Sequence, residues 1–350
     1  MNFQNSGSRF NQAVSCLSPR LKTILSGVPD SAKQSAFEVR LRVGKPMILT
    51  CAERPWFVDA NSQLLNLPKM PYIVTQNDIA DSIVSMCAHS VHSHQQEFKN
   101  GFISIRGGHR AGICGTAVVS DSGAITAVRE ITSVNLRIAR EVPGAANALM
   151  ERIFAEQICG CLIIGIPSSG KTTILRDLAR QLSSGVSGRF VKVAVVDERC
   201  ELGAVFDGIP QNNLGYGSDI LSGYPKAFGI EVAVRTLSPQ VIICDEIGGG
   251  AEVNGILESI NAGVKIIATA HAGSVKEILR RPQMARLMES GAFSRIVLLG
   301  GSQKPGEIRQ IVKTGDLLDD KDFRNDIDCP FHDNDWSGAR AGAYRAGFDA

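Results

Sequence analysis

The chain has 350 residues and is 44% hydrophobic by composition, with 37 Lys and Arg against 35 Asp and Glu and a net charge of +2. That length suggests two domains, and the apolar share is enough for sizeable cores. Near-neutral charge makes no electrostatic case for nucleic acid. No apolar run approaches the roughly 18–20 residues that a membrane span needs.

In chain order, residues 1–7 lack a basic region followed by an apolar core, so no signal peptide is expected and the chain should stay in the cytoplasm. Phe10, Val14, Leu17, Leu21 and Ile24 recur at helical spacing and predict one helix over 10–25. Its polar face is not rich in Lys or Arg, which argues for packing on its own domain rather than on a membrane surface. Residues 37–60 alternate apolar and polar around Gly44-Lys45-Pro46 and predict a hairpin. A helix comes next, over 76–90. Cys87, His89, His92 and His94 lie at its end. His89 and His92 are spaced to share a helix face, but no second Cys/His pair completes a zinc set, so a solvated helix end is expected. Short strands broken by Gly fill 101–138. This part, residues 1–142, reads as α+β with no nucleotide motif of its own. The chain has nine cysteines and no Cys-x-x-Cys pair. Cys161 and Cys244 in apolar strands, and Cys114 in a Gly-rich segment, read as small buried hydrophobes in a reducing compartment.

Pro143-Gly144 ends the first domain, and a helix over 145–157 leads into a second, over 145–315, in which strands alternate with helices. That alternation predicts a mainly parallel sheet covered on both faces, an α/β domain. Its most specific segment is Gly165-Ile166-Pro167-Ser168-Ser169-Gly170-Lys171-Thr172-Thr173, preceded by the apolar run Cys161–Ile164 and followed by helix formers. Strand, Gly-rich turn and helix form the context a phosphate-binding loop requires. The two glycines permit the turn, and its amides and the helix N-terminus face one anion. Lys171, expected as an exposed loop residue, brings a point charge for the phosphates of ATP, and the Thr172 hydroxyl can ligate Mg²⁺.

Hydrolysis also needs carboxylates. Val241-Ile242-Ile243-Cys244 reads as a buried strand ending in Asp245-Glu246, at the edge where open α/β sheets bind ligands. Asp245 suits the metal and Glu246 the attacking water. A second apolar strand, residues 191–196, leads into Asp197-Glu198-Arg199-Cys200-Glu201, and a third, 265–270, places Thr269 and His271 at its end. Glu198 and Glu201 read as site residues, and His271 as a sensor of phosphate or of a neighbouring subunit. The Gly/Pro/Asn/Asp-rich stretch 207–225 predicts a long functional loop. Residues 316–350, acidic and then Gly/Ala/Arg-rich, predict a mostly disordered tail.

These segments, with Pro210-Gln211-Asn212-Asn213, Arg235-Thr236-Leu237-Ser238-Pro239-Gln240, Asn261-Ala262-Gly263 and Arg280-Arg281-Pro282, resemble the stage III sporulation protein AA family. So do Glu38-Val39-Arg40-Leu41-Arg42, Ile105-Arg106-Gly107-Gly108-His109-Arg110 and Asn135-Leu136-Arg137-Ile138-Ala139-Arg140-Glu141 in the first domain. The family is a sporulation relative of the type II/type IV secretion and pilus-motor ATPases. The resemblance spans roughly 36–315. It implies a RecA-like P-loop NTPase domain behind a smaller α+β domain, using ATP and Mg²⁺. It makes Glu201, then Glu198, the catalytic acid of the acidic turn, Asp245-Glu246 the Walker B pair, and His271 the His-box residue. The Gly248-Gly249-Gly250 tract departs from the family, which usually carries charged residues there.

The resemblance further implies a hexameric ring docked on integral membrane components of a sporulation channel, peripheral on the cytoplasmic, mother-cell face. Ring motors of this kind set N-domain arginines against phosphate, which makes Arg106, Arg110, Arg137 and Arg140 candidates, with Arg235 near the acidic strand. A nucleic-acid motor and a nucleotide-gated scaffold with little turnover are the alternatives. Near-neutral charge argues against the first, and the complete set of acids against the second.

Overall fold

The computed structural model describes residues 6–88, 90–186, 188–301 and 304–319. The stripe predicted as one helix is two, Ser6–Val14 and Pro19–Ser26. Ser18 starts the second as its N-cap, its hydroxyl accepting the Leu21 N–H, and Pro19 sits at the first helical position where a missing N–H costs nothing. Phe10, Val14, Leu17, Leu21 and Ile24 still share one core, because the break leaves both apolar faces on the same sheet.

That sheet is antiparallel. Its strands are β1 (Ala36–Arg42), β2 (Ile48–Cys51), β3 (Pro55–Val58), β4 (Leu64–Leu65), β5 (Phe102–Ile105), β6 (His109–Val119) and β7 (Ile125–Arg137). They lie in the order β4-β3-β2-β1-β7-β6-β5. The helix Gln76–Met86 begins in a capping box, Thr75 and Asp78 satisfying each other's backbone N–H, and ends before residue 90. At its end Cys87 is buried and His94 pairs with Glu97, while His89 lies outside the described residues. The β6/β7 ribbon outruns its neighbours. Its root pairs with β1 and β5, but Thr116–Val119 pairs only with the start of β7. Cys114, expected as a buried hydrophobe, is exposed at the base of this arm, since alternate residues there face no second layer.

A short helical turn at Asn147–Leu149 runs into the wider π-type turn Met150–Phe154, so the predicted 145–157 helix is shorter and distorted. The second sheet contains β8 (Cys161–Gly165), β9 (Val193–Asp197), β10 (Ser218–Ser222), β11 (Val241–Cys244), β12 (Lys265–His271), β13 (Arg295–Leu299) and β14 (Ile308–Lys313). The order is β10-β9-β11-β12-β8-β13-β14, parallel except for β14. Leu162 and Ile164 of β8, Ala194 and Val196 of β9, and Ile242 and Cys244 of β11 belong to one core. Their alternate neighbours Cys161, Ile163, Val193, Val195, Val241 and Ile243 belong to another. A period of two that buries both faces explains why these strands read as continuous apolar runs. The eight described cysteines are free thiols, and burial pushes that of Cys244 up to about 12.

Two boundaries differ from expectation. The long loop ends at Gly217, because Ser218–Ser222 pairs in parallel with β9 as an edge strand whose polar residues hid it. Thr314–Asp319 is helical, anchored by buried Thr314, which corrects the predicted tail at 316–319. The remainder of that tail lies outside the described residues. None of the described helices is long and apolar enough to cross a membrane.

His109 opens β6 with its ring 1% exposed, its Nδ1 accepting the Ala139 N–H at 3.0 Å. Burial, and then Arg9, pulls its pKa from 6.5 to about 4. Between those pH values the unfolded chain binds a proton that the folded chain refuses, so stability should fall as pH drops from 6.5 to 4, by ~3 kcal/mol in all. His109→Asn, whose Oδ1 can accept the same N–H, should flatten this part of the profile in urea unfolding. An unchanged slope would show that His109 does not carry it.

Candidate active site

The C-terminal ends of β8, β9, β11 and β12 converge, and the predicted site residues of the second sheet lie there. In the Gly165–Lys171 loop Gly170 is required by backbone and space, and Gly165 packs closely against Ser169. A Cβ on Gly165 would stand 2.4 Å from Ser169 Oγ, and one on Gly170, whose φ is +91°, would stand 2.8 Å from Gly306 N. Ile166, Pro167 and Ser168 are exposed, Ser169 is buried, and Thr173 lines a cleft with the Arg140–Pro143 linker. Lys171, expected to be exposed, is only 6% exposed. It is the first residue of the helix Lys171–Ser183, and its Nζ turns back into the loop to donate to Gly165 O at 2.8 Å and Ile166 O at 3.0 Å. Burial lowers its pKa, opposed by the Asp245 charge.

Thr172 Oγ1 donates to Asp245 Oδ2 at 2.8 Å. Asp245 Oδ1 accepts from the Thr269 hydroxyl, which in turn accepts the Glu246 N–H at 2.8 Å. Glu246 takes a left-handed φ of +53° and its carboxylate meets both Arg199 and His271. His271 Nδ1 faces Lys171 Nζ at 3.3 Å. An ammonium can only donate, so Nδ1 accepts and the ring proton is on Nε2, directed at Glu246. Burial, and then the Lys171 charge, holds His271 below the ordinary histidine value despite the opposing pull of Asp245.

The acidic turn after β9 is built by Asp197. This carboxylate, 2% exposed, accepts N–H bonds from Glu201 at 2.8 Å, Leu202 at 3.0 Å and Gly203 at 2.7 Å. The turn sends its two glutamates apart. Glu201 pairs with Arg110 at 3.0 Å, and Arg110 also donates to Arg199 O and lies over the Phe102 ring. Arg110, Arg137, Arg140, Arg176 and Glu201 line a cavity of about 240 Å³ between the two sheets. Glu198 instead turns to Lys226, 3.6 Å away.

Not every candidate is directed at the strand ends. Arg140 is committed to the carbonyls of Lys33 and Ala36, a structural clamp. Arg235 pairs with Glu231 in the last turn of the helix Lys226–Leu237, which returns the chain to the start of β11, opposite Asp245. Arg106 and Arg137 are exposed. Four participants were not predicted: Arg199 on Glu246, Arg176 bonded to Glu201 O, and Lys226 with Glu252 behind Glu246. Arg199 was legible in principle, lying inside the acidic segment; the others meet the site only through the fold.

The donors at Thr172 and Asp245 are hard oxygens, the type Mg²⁺ selects, and they share one place at the helix start. They fit that ion.

The family model for sporulation stage III, protein AA matches residues 8–317. The chain belongs to this family. Stage III sporulation protein AA of Bacillus subtilis (strain 168) is 36% identical over 310 residues, spanning 88% of this chain and 97% of that protein. The Arabidopsis thaliana protein SEEDLING PLASTID DEVELOPMENT 1 is 29% identical over 170 residues, 47% of this chain and 24% of that protein. Among solved structures, the ATPase DotB of Yersinia pseudotuberculosis superposes with a TM-score of 0.54 at 16% identity, over 83% of this chain and 80% of that one. The α/β architecture, with its smaller α+β first part, therefore shares the fold of that structure.

Asp197→Ala would orphan three backbone donors at once. The expected cost is ~3 kcal/mol or more in urea unfolding, with the acidic turn disordered. A loss under ~1 kcal/mol would mean that the turn is held by something else.

Proposed function

We propose that this chain is an ATP-hydrolysing motor, and that residues 1–142 and 145–315 act as its two units. The observation that carries the reading is the Thr172–Asp245 contact of 2.8 Å, which joins a phosphate loop to an acidic strand end beside Glu246 and His271. In this reading the backbone N–H groups of the loop from Gly165 to Thr173, Pro167 excepted, and the Lys171 ammonium bind the phosphates of ATP, Lys171 exchanging two loop carbonyls for phosphate oxygens. Thr172 and Asp245 hold Mg²⁺, which neutralises charge on the phosphate oxygens.

Glu246 orients the water for in-line attack on the γ-phosphate and accepts its proton. It is preferred to Glu201 because a chain of contacts runs from it through His271 to Lys171, whereas Glu201 is engaged by Arg110. Glu246 must leave Arg199 to do so, which makes Arg199 a charge free to turn to the phosphate. Glu198 serves the scaffold. Arg110 and Arg137 are proposed to neutralise phosphate charge when the two units close or when a neighbouring subunit contributes to a ring. A hexamer docked on the cytoplasmic, mother-cell face of a membrane-embedded sporulation channel, energising its assembly or transport, is the setting that family membership supports.

Steady-state phosphate release with MgATP tests this reading. Lys171→Ala should abolish nucleotide binding, and Glu246→Gln should keep binding while lowering turnover by ~100-fold or more, since amide and carboxylate differ in basicity rather than shape. Wild-type turnover in both variants would remove the assignment.

A further inference from the structure

Lys226 is a lysine 6% exposed, at the start of a helix that the loop and acidic motifs do not include. A buried ammonium is costly unless its hydrogens are all engaged. Here its Nζ donates to the Glu246 carbonyl at 2.7 Å and to Glu252 Oε1 at 3.2 Å, and lies 3.6 Å from Glu198 Oε2. Three separate segments thus meet at one cation.

The Glu246 contact matters because of the backbone there. A φ of +53° is unfavourable for a residue with a side chain and persists only where neighbours fix it. The peptide between Glu246 and Ile247 is held on both sides: Lys226 takes its carbonyl, and its N–H donates to Thr269 O at 2.8 Å. Glu252 secures the next two residues, its Oε2 accepting the Gly248 and Gly249 N–H groups at 2.7 and 2.8 Å. Burial would raise the Glu252 pKa, but these N–H bonds and Lys226 hold it below the ordinary carboxylate value. The Gly-Gly-Gly tract therefore has an anchor of its own.

We propose that Lys226 is a positioning residue: by holding the Glu246 carbonyl it fixes the left-handed peptide that aims the Glu246 carboxylate at the phosphate loop. It also ties that peptide to the acidic turn through Glu198, so the two acidic segments move together. The proposal rests on the motor reading for its catalytic consequence and on geometry alone for the structural one.

Removing Lys226 by itself would strand Glu252, so the test uses paired variants of the full chain. Glu252→Gln keeps the oxygen that caps Gly248 and Gly249 but turns its amide NH₂ toward Lys226, so it removes the ion pair while keeping the Lys226–Glu246 bond and serves as the reference for the double variant. Lys226→Met/Glu252→Gln leaves no unpaired buried charge yet frees the Glu246 carbonyl. Relative to Glu252→Gln, it should lower kcat by at least ~tenfold with KM within about threefold, and should speed amide exchange at Ile247 by at least ~tenfold. If the double variant matches Glu252→Gln in exchange and in kcat, Lys226 merely balances a buried charge and the proposal is overturned. Should the wild type release no phosphate, the motor reading fails, and the exchange comparison still decides the role of Lys226.

Discussion

The Asp245 carboxylate is shared between two hydroxyls, Thr172 at the start of the helix behind the Gly165–Gly170 loop and Thr269 on the adjacent strand. This sharing depends on strand order. β12 lies between β11 and β8, so Thr269 faces β11 on one side while the loop leaves β8 on the other. Parallel pairing then brings Gly165, Asp245 and His271 to one edge, since each ends or directly succeeds its strand in the same direction. A sheet with any of these strands reversed would scatter them.

Charge is the second constraint on this edge. Lys171, Arg176, Arg199 and Lys226 stand among Asp197, Glu198, Glu201, Asp245, Glu246 and Glu252, and most are partly or fully buried. Each acid is divided among several donors: Asp197 among three amides, Glu252 between two amides and Lys226, Glu246 between Arg199 and His271. Such networks contribute less to stability than to a fixed geometry, because desolvation offsets much of the attraction. The two parts of the chain join the same network. Arg110 on β6 reaches Glu201, and Arg9 bonds Gly107 O while pairing with Glu141, whose carboxylate accepts the Asn213 N–H. A change at the acidic turn therefore has a polar route to the first sheet.

Much of this arrangement was legible before any coordinates. The run Cys161–Ile164 and the glycine spacing after it mark strand, loop and helix, and Val241–Glu246 marks a strand with acids at its end. These segments are local, and their periodicity and turn chemistry belong to the residues themselves. What escaped depends on neighbours. Lys171 reads as an exposed loop cation, yet the curvature of the loop supplies carbonyls that draw it inward. Glu201 ranks ahead of Glu198 only through the family resemblance, and the Asp197-centred turn is what separates them physically, sending one to Arg110 and the other to Lys226. Lys226 and Glu252 carry no motif, and only the packing of two helices behind Glu246 reveals them. The Ser18-Pro19 break and the edge strand Ser218–Ser222 were lost to weaker signals, a single cap and a polar surface strand.

In the proposed motor the loop at Gly165–Thr173 exchanges its hold on Lys171 for phosphate. The most direct measurement is a crystal structure of the protein with Mg²⁺, ADP and beryllium fluoride. Lys171 Nζ should leave the Gly165 and Ile166 carbonyls for phosphate oxygens, with Thr172 and Asp245 at the metal and Glu246 released from Arg199. Nucleotide bound away from this loop, or bound there with Lys171 still on the two carbonyls, would contradict it.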